Sequence, residues 1–249
     1  MTGGDESLAG QVAIVTGAAQ GLGAAVARAY YRSGMKVALL DVQANSLHNL
    51  SAELEAEGGA GRTLPLVVDL SDERATEQSL ATILTQLGTP RVVCHNAAIL
   101  NVTPFDQMTV ASWTRVLNIS LQAAFILSHG VWKLMAQAGR GSIVYVSSRS
   151  GIEGFDGESA YCAAKHGLEG LMKSLAIEGQ SHNIAVNTIT PGMAMQTPMS
   201  ERNYTDDMKK IWVDPMRLTP AFLTLAVQDA SGITGQRCNA WELSQIAND

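Results

Sequence analysis

Tyr161 and Lys165 stand four residues apart in the segment YCAAK, a spacing that places both side chains on one face of a helix. A fixed ammonium near a phenol favours the phenolate and lowers the pKa of the phenol from about 10. Reaching a pKa near 7 takes roughly 4 kcal/mol of differential stabilisation, to which a cationic cofactor ring would contribute. The pair therefore predicts a general base that works at neutral pH. The alternative is a packed tyrosine beside a lysine that extends to solvent.

Ser148 supplies a third group for this chemistry. It lies thirteen residues before Tyr161, directly after an apolar run at 142–147 that predicts a strand. A hydroxyl at this place could hold a substrate oxygen while Tyr161 accepts or returns its proton.

A glycine-rich segment near the N-terminus predicts a dinucleotide-binding turn. A β-branched run at 11–16 precedes the sequence GAAQGLG, in which Gly17, Gly21 and Gly23 have the spacing G-x-x-x-G-x-G, and a helix-forming stretch at 24–32 follows it. Glycines let the backbone approach a pyrophosphate, and a helix N-terminus supplies amide donors and the positive end of a dipole. The alternative is a tight turn between a strand and a helix without a ligand.

Asp41 predicts the choice of cofactor. It ends the next predicted strand and lies 18 residues beyond Gly23, near the spacing at which an acidic residue binds the adenosine ribose. Its carboxylate would accept hydrogen bonds from the ribose diol and repel a 2′-phosphate, and neither Gln20 nor Val42 adds a positive charge for that phosphate. NAD is therefore favoured over NADP. The alternative for Asp41 is an N-cap of a helix at 44–57.

The alternation of strands and helices predicts a mainly parallel sheet covered on both faces. The later strands are predicted at 36–40, 64–68, 91–94, 142–147, 184–189 and 235–240. In such a sheet, ligands bind beyond the carboxyl ends of the strands. The residues just past predicted strand ends are Gly17, Asp41, Asp69, Asn96, Ser148 and Pro191, so we expect them to converge on one edge. Asp69 would meet the adenine edge or cap a turn.

Asn118 lies inside a long predicted helix at 111–138. Asparagine has poor propensity in a helix interior. This residue therefore requires a buried polar partner or a kink.

Composition restricts the class of protein. The 249 residues are 46% hydrophobic, enough for one domain with a large core. The net charge is −6 without a basic tract, which argues against nucleic acid as a partner. The segment 1–10 lacks the features of a signal peptide, and no uninterrupted apolar segment reaches the ~20 residues that span a bilayer. We therefore expect no membrane association and a cytoplasmic location.

Three distant cysteines and five histidines without ligand spacing predict neither a disulfide framework nor a metal site.

In combination, order and spacing, these motifs resemble the short-chain dehydrogenase/reductase family from about Leu8 to Ala240. The matching pieces are Thr16-Gly17-x-x-x-Gly21-x-Gly23, Asp69, His95-Asn96-Ala97-Ala98, Asn118, Ser148, Tyr161-x-x-x-Lys165 and Pro191-Gly192 with Thr197. The resemblance implies an α/β fold, a single Rossmann domain over 1–249 whose doubly wound, seven-stranded parallel sheet is flanked by helices on both faces. It also implies reversible hydride transfer between a nicotinamide cofactor and an alcohol or carbonyl, and assembly as a homotetramer.

The resemblance implies roles for four catalytic residues. Tyr161 would be the general base in oxidation and the acid in reduction, while Lys165 would lower its pKa and bind the nicotinamide ribose. Ser148 would hold the substrate oxygen, and Asn118 would support a water that connects Lys165 to solvent. Thr197 would contact the carboxamide side of the nicotinamide. The expected cofactor-binding residues are Gly17, Gln20, Gly21, Leu22, Gly23, Asp41, Val42, Asp69, Leu70, Asn96, Ala97, Ala98, Tyr161, Lys165, Pro191, Gly192 and Thr197.

Three places depart from the family pattern. His95 and Ala98 stand where the family has asparagine and glycine, so we expect a local adjustment of hydrogen bonds and of the cofactor pocket. One residue more than usual separates the Pro-Gly pair at 191–192 from Thr197. Near the C-terminus, the segment NAWE at 239–242 replaces a Val-Asp-Gly-Gly type of ending, at which subunits of the family often meet.

The leading hypothesis is an NAD-dependent oxidoreductase for a small-molecule secondary alcohol or polyol, or its ketone. The alternatives are an NADPH-dependent carbonyl reductase, such as a 3-oxoacyl reductase, and a nucleotide-binding protein that has lost catalysis. The substrate should be selected by the loop at 149–158 and by a lid at about 193–218, which holds five of the ten methionines. Arg149, Arg202 and Lys209 in these segments are either solvated or partners for an anionic substrate.

Overall fold

The computed structural model describes residues 8–247, and its strands form one seven-stranded sheet. The strands are β1 (Val12–Thr16), β2 (Lys36–Asp41), β3 (Thr63–Val67), β4 (Pro90–His95), β5 (Gly141–Val146), β6 (Ile184–Thr190) and β7 (Arg237–Asn239). Their order across the sheet is β3-β2-β1-β4-β5-β6-β7, and every neighbouring pair is parallel. The predicted doubly wound, seven-stranded parallel sheet is confirmed.

Helices cover both faces of the sheet because successive side chains of a strand point to opposite sides. The helices are α1 (Gly21–Arg32), α2 (Ala44–Gly58), α3 (Glu73–Gln86), α4 (Val110–Leu117), α5 (Ala123–Ala138), α6 (Ser159–Gly179), α7 (Pro198–Asn203), α8 (Asp206–Lys210), α9 (Thr219–Ala226) and α10 (Ala240–Ile246). Ala13 and Val15 of β1 join a core with α1, α2 and α9, whereas Val12 and Ile14 join a core with α3, α5 and α6. This two-sided burial explains why the strands read as continuous apolar runs.

The strand order reverses beside β1, which lies between β2 and β4. The segments that follow β1 and β4 therefore leave toward opposite faces of the sheet and open a crevice beyond the carboxyl ends of these two strands. Ligands of doubly wound folds bind in such a crevice.

The predicted helix at 111–138 is confirmed as a helical run at Val110–Ala138, and the irregularity expected at Asn118 lies in its middle. The structure has α4, then a π-helical turn at Asn118–Gln122, then α5. The Ala123 amide donates to the Asn118 carbonyl, five residues back, and the Asn118 side chain donates to the Ser71 carbonyl at 3.2 Å. Both the expected polar partner and the expected irregularity are present, because this side chain bonds outside its own helix.

The helical run Val110–Ala138 also has the length and composition of a membrane span, and 33% of its apolar 18-residue window is buried. The sequence expectation missed it because polar residues interrupt the apolar run. Within the described residues, Leu127, Val131 and Met135 of this run are fully buried in one of the two cores beside the sheet. Core helices of globular folds pass the same test of length and composition.

The predicted lid at about 193–218 contains α7, α8 and a 3₁₀ turn at Pro215–Leu218. A bridge between Met195 and Val213 ties its two ends together. The last strand, β7, is shorter than the predicted 235–240, because Asn239 caps the next helix: its side chain accepts from the amides of Trp241 (3.1 Å) and Glu242 (3.3 Å).

Candidate active site

The glycine-rich turn is held against the neighbouring strand by Asn96. The Asn96 side-chain amide donates to the Thr16 carbonyl (3.1 Å) and to the Gly17 carbonyl (3.2 Å). A Cβ at Gly23 would overlap the Gly17 carbonyl oxygen and lie 2.6 Å from Nδ2 of Asn96. Only glycine fits there, and the turn leads directly into the N-terminus of α1. This cradle fits the pyrophosphate of a dinucleotide cofactor.

Asp41 points across the carboxyl edge toward this turn. Its Oδ2 accepts from the Ala19 amide (3.0 Å), its Oδ1 accepts from the Gln43 amide (2.9 Å), and the residue is buried. The alternative role as N-cap of α2 is not observed, because Gln43 occupies the N-cap position. Val42 is exposed, as its place beyond the strand end requires. The carboxylate is thus fixed at the glycine-rich turn, and its role toward the adenosine ribose stays a prediction.

Asp69 is engaged by neighbouring side chains. It accepts hydrogen bonds from the amide (2.9 Å) and hydroxyl (2.7 Å) of Ser71 and pairs with Arg115 at 3.0 Å. Asp69 therefore caps the turn before α3, which was the alternative prediction, and Asp72 caps α3 itself by accepting from the Ala75 amide. Leu70 is buried in the core. A role of Asp69 toward the adenine stays a prediction.

Tyr161 and Lys165 lie on one face of α6, as predicted from their spacing. The Nζ of Lys165 is 5.3 Å from the centre of the Tyr161 ring and donates to the Val146 carbonyl at the end of β5 (2.6 Å). Ser148, two residues beyond Val146, interacts by a hydrogen bond with Tyr161. The structure therefore brings the three predicted catalytic side chains together.

The electrostatics of this pair differ from the expectation. Burial raises the pKa of Tyr161 above its ordinary value, although the hydrogen bond with Ser148 opposes the change. Burial lowers the pKa of Lys165 to about 8, and the charge of Glu169 opposes that shift. In the protein by itself desolvation therefore outweighs the expected effect of Lys165 on Tyr161. A base at neutral pH needs further positive charge at this place.

The π-helical turn that begins at Asn118 packs against α6. The Asn118 side chain itself bonds to the Ser71 carbonyl, and its role toward a water near Lys165 stays a prediction. Thr197 caps α7 through the Ser200 amide (3.1 Å), and its methyl group lies next to Gly21. Its predicted contact with the nicotinamide carboxamide is not tested by this geometry.

The Pro-Gly turn after β6 is supported by the unusual C-terminal segment. Gly192 has φ +76°, and a Cβ there would overlap the Asn239 side chain. The Trp241 amide donates to the Pro191 carbonyl at 3.1 Å. The residues that depart from the family pattern near the C-terminus therefore hold the strand end beside the cofactor crevice.

His95 makes the expected local adjustment. Its Nε2 is 3.2 Å from the Ser120 carbonyl, so this nitrogen carries the proton, and its Nδ1 accepts from the Thr16 hydroxyl at 3.1 Å. The Thr16 oxygen in turn accepts from the amides of Asn96 and Ala97, both at 3.0 Å. One imidazole thus ties β1, β4 and the π-helical turn together. Ala98 follows in the loop, half-buried, and its effect on the cofactor pocket stays a prediction.

His95 should make stability depend on pH. Burial, with repulsion from Lys165, lowers its pKa to about 3 from the ordinary 6.5. Between these values the unfolded chain binds a proton that the folded chain does not, so stability falls as the pH drops below about 6.5. We expect the loss between pH 7 and pH 5, measured by urea denaturation, to be about 2 kcal/mol smaller in His95→Asn than in the wild type. His48→Asn, at an exposed position, is the control and should keep the wild-type loss; equal losses in all three proteins would contradict the prediction.

Sequence reasoning missed two further polar networks. Glu169 accepts from the hydroxyls of Ser147 (2.5 Å) and Thr188 (2.8 Å) and pairs with Arg237 at 3.2 Å. Its position four residues after Lys165 could have indicated that it shares the catalytic face of α6. The second network joins Ser148 to Glu158 through the Ser150 hydroxyl. Within residues 8–247 no group of three or more His, Cys, Asp or Glu side chains could hold a metal.

The parallel sheet, the glycine cradle and the tyrosine–lysine–serine group define a dinucleotide-dependent oxidoreductase. Residues 11–208 match the family model described as short chain dehydrogenase, and the chain belongs to this family. The protein is accordingly an oxidoreductase that acts on alcohols or ketones with a nicotinamide cofactor.

Relatives cover almost the whole chain. D-threitol dehydrogenase of Mycolicibacterium smegmatis is 31% identical over 240 residues, which are 93% of this chain and 91% of the relative. The 3-oxoacyl-[acyl-carrier-protein] reductase of Thermotoga maritima is 31% identical over 237 residues, 92% of this chain and 95% of the relative. A candidate NAD(P)-dependent gluconate 5-dehydrogenase from Beutenbergia cavernae, with NADP bound at low occupancy, has a TM-score of 0.86 at 28% identity and covers 96% of this chain and 99% of its own.

Proposed function

We propose that the protein is an NAD-dependent dehydrogenase that transfers hydride reversibly between a secondary alcohol or polyol and the cofactor. The observation that carries the proposal is the group Tyr161, Lys165 and Ser148 at the carboxyl edge, beside the glycine cradle. Retention of this group also argues against a nucleotide-binding protein without catalysis, which needs no acid–base pair.

Each side chain has one task in this proposal. Ser148 holds the substrate oxygen, and Tyr161 takes the hydroxyl proton as the carbinol hydrogen leaves as hydride; in the reverse direction Tyr161 returns the proton. The bound cofactor supplies the hydride acceptor and, when oxidised, positive charge near Tyr161. Lys165, buried and held by Val146, adds a further positive charge 5.3 Å from the centre of the Tyr161 ring.

The preference for NAD rests on Asp41. Its carboxylate is fixed by two backbone amides and would meet the 2′-phosphate of NADP with like charge. The second candidate is an NADPH-dependent reductase, and two observations support it. Arg202 of α7 lines a cavity with Gln20 and Gln43, beside the strand end that carries Asp41, and the similar protein from Beutenbergia cavernae holds NADP.

Initial rates with both cofactors test the proposal. We expect NADH formation from a panel of secondary alcohols and polyols, with kcat/KM for NAD⁺ above that for NADP⁺. Asp41→Asn keeps the size of the side chain but removes the charge, and it should raise the NADP⁺:NAD⁺ ratio about 10- to 100-fold, because like charges at an interface cost several kcal/mol. Glu57→Gln, at an exposed carboxylate that pairs with Arg32, is the control and should leave the ratio unchanged. A wild-type preference for NADP⁺ would favour the second candidate.

We propose further that the protein works as a homotetramer in the cytoplasm. Support comes from exposed apolar side chains on the long helical run, Val110 (81% exposed) and Phe125 (51% exposed), which a second copy of the chain could cover. The mass of the purified protein in solution, measured by light scattering, tests the assembly.

A further inference from the structure

A chain of hydroxyl groups connects the catalytic Ser148 to a carboxylate. The Ser148 hydroxyl donates to the Ser150 hydroxyl (3.3 Å), which donates to Oε2 of Glu158 (2.9 Å). The Ser150 amide also donates to the Ser148 oxygen at 3.2 Å. The bond between the Ser148 and Ser150 hydroxyls, at 3.3 Å, is long for a hydroxyl pair. Ser148 can therefore turn its proton toward a substrate while the bond from Ser150 to Glu158 persists.

Glu158 is close to the reacting centre. It lies one helical turn before Tyr161, and its charge is among the influences that raise the pKa of Tyr161. Tyr204, at the end of α7 in the lid, also raises the pKa of Tyr161 through its charge. A carboxylate is thus linked through Ser150 to the hydroxyl that would hold the reacting oxygen.

The charge of Glu158 is not neutralised by a cation within residues 8–247. Its one side-chain partner there is Ser150, which leaves Oε1 able to accept a further hydrogen bond. Of the three cations in the loop and the lid, two are paired with carboxylates, and Arg202 lines the cavity with Gln20 and Gln43 beside the glycine-rich turn. Arg149 pairs with Glu153 (2.7 Å), Lys209 pairs with Glu201 (3.3 Å), and Arg202 donates to the Pro198 carbonyl (3.1 Å).

We propose that Glu158 selects the substrate: its free oxygen accepts a hydrogen bond from a second hydroxyl of a neutral, polyhydroxylated substrate, and its charge excludes substrates that carry a carboxylate. A hydroxyl donor satisfies the half-buried carboxylate, whereas a substrate carboxylate would place a second negative charge beside Glu158, which makes no ion pair within residues 8–247. This inference rests on the proposed function and narrows it from secondary alcohols in general to neutral polyols.

The test compares three kinds of substrate of similar size, each with NAD⁺ and NADP⁺. They are a secondary alcohol with a single hydroxyl, the matching polyol, and the matching hydroxy acid (an aldonic acid beside its sugar alcohol). We expect the wild type to prefer the polyol. Glu158→Gln keeps an acceptor oxygen and removes the charge, so it should lower kcat/KM for the polyol roughly 5- to 10-fold, the difference between a hydrogen bond to a charged group and one to a neutral group, with a smaller change for the simple alcohol and a gain for the acid.

Two further variants distinguish the selection of the substrate by Glu158 from the positioning of the Ser148 hydroxyl. Ser150→Ala keeps the carboxylate but cuts its link to Ser148, so it should lower kcat for all three substrates and leave the polyol-to-acid ratio as in the wild type. Glu153→Gln removes an exposed carboxylate of the same loop, 46% exposed and paired with Arg149, and should change neither kcat nor the ratio.

Three outcomes would overturn the inference. The first is a wild type that uses the acid as well as the polyol, and the second is an equal loss on all substrates in Glu158→Gln. In the third, simple alcohols or acids are turned over and polyols are not. Each of these leaves the proposed dehydrogenase activity intact, whereas the proposed function itself fails if no alcohol is oxidised with either cofactor.

Discussion

Replacing Tyr161 with phenylalanine is expected to lower turnover by at least about 10²- to 10⁴-fold, the range that a positioned acid–base group contributes. The substitution removes one oxygen and keeps the ring, which is buried beside Lys165. The glycine cradle and Asp41 are untouched, so cofactor binding should stay nearly intact. Steady-state kcat and a thermal-shift titration with the cofactor measure the two effects separately.

A second tyrosine provides the control. Tyr31 of α1 has a buried ring and donates through its hydroxyl to the Gly59 carbonyl (2.7 Å), away from the catalytic group. Tyr31→Phe should therefore leave kcat unchanged. Near-wild-type turnover in Tyr161→Phe would rule out the mechanism, and loss of cofactor binding would show that the phenol hydroxyl is needed for more than proton transfer.

Removing the Glu169 carboxylate is expected to cause the largest loss of stability. In Glu169→Ala, Arg237 loses its ion pair and the hydroxyls of Ser147 and Thr188 lose their acceptor. Breaking a buried pair by removing one partner typically costs 3–5 kcal/mol, and about 3 kcal/mol is expected here because the Arg237 side chain is 27% exposed. Urea denaturation monitored by circular dichroism measures the change.

Two causes could destabilise Glu169→Ala: the unpaired charge of Arg237 and the lost hydrogen bonds to Ser147 and Thr188. The double variant Glu169→Met with Arg237→Met distinguishes them, because it removes the unpaired charge as well. Replacing both charges by apolar side chains of similar volume should recover much of the stability. Glu57→Ala, which breaks an exposed pair with Arg32, is the comparison and should have a far smaller effect. A loss in Glu169→Ala no larger than in Glu57→Ala would show that the buried network contributes little.

The same network affects catalysis through Ser148. Arg237 donates to the Ser148 carbonyl at 3.1 Å, so Glu169 holds the backbone of the residue that binds the substrate oxygen. The double variant should therefore regain stability without regaining full turnover.

The sequence by itself determined the parts that depend on local spacing. The spacing of four positions from Tyr161 to Lys165 places both on one helical face, and strands that alternate with helices predict a parallel sheet. The glycine spacing and the position of Asp41 likewise depend only on neighbours along the chain. In a parallel sheet all carboxyl ends lie at one edge, which is why distant motifs could be assigned to one site before the fold was known.

The tertiary structure decided what depends on contacts between distant segments and on burial. The π-helical turn at Asn118 arises with a bond to Ser71, and the pairing of Glu169 with Arg237 joins residues 68 positions apart. Burial raises the pKa of Tyr161, although the sequence spacing alone predicted that Lys165 would lower it. The path from Ser148 to Glu158 likewise appears only when the loop is folded. Desolvation and hydrogen bonding are properties of the packed environment, and no local pattern of residue types encodes them.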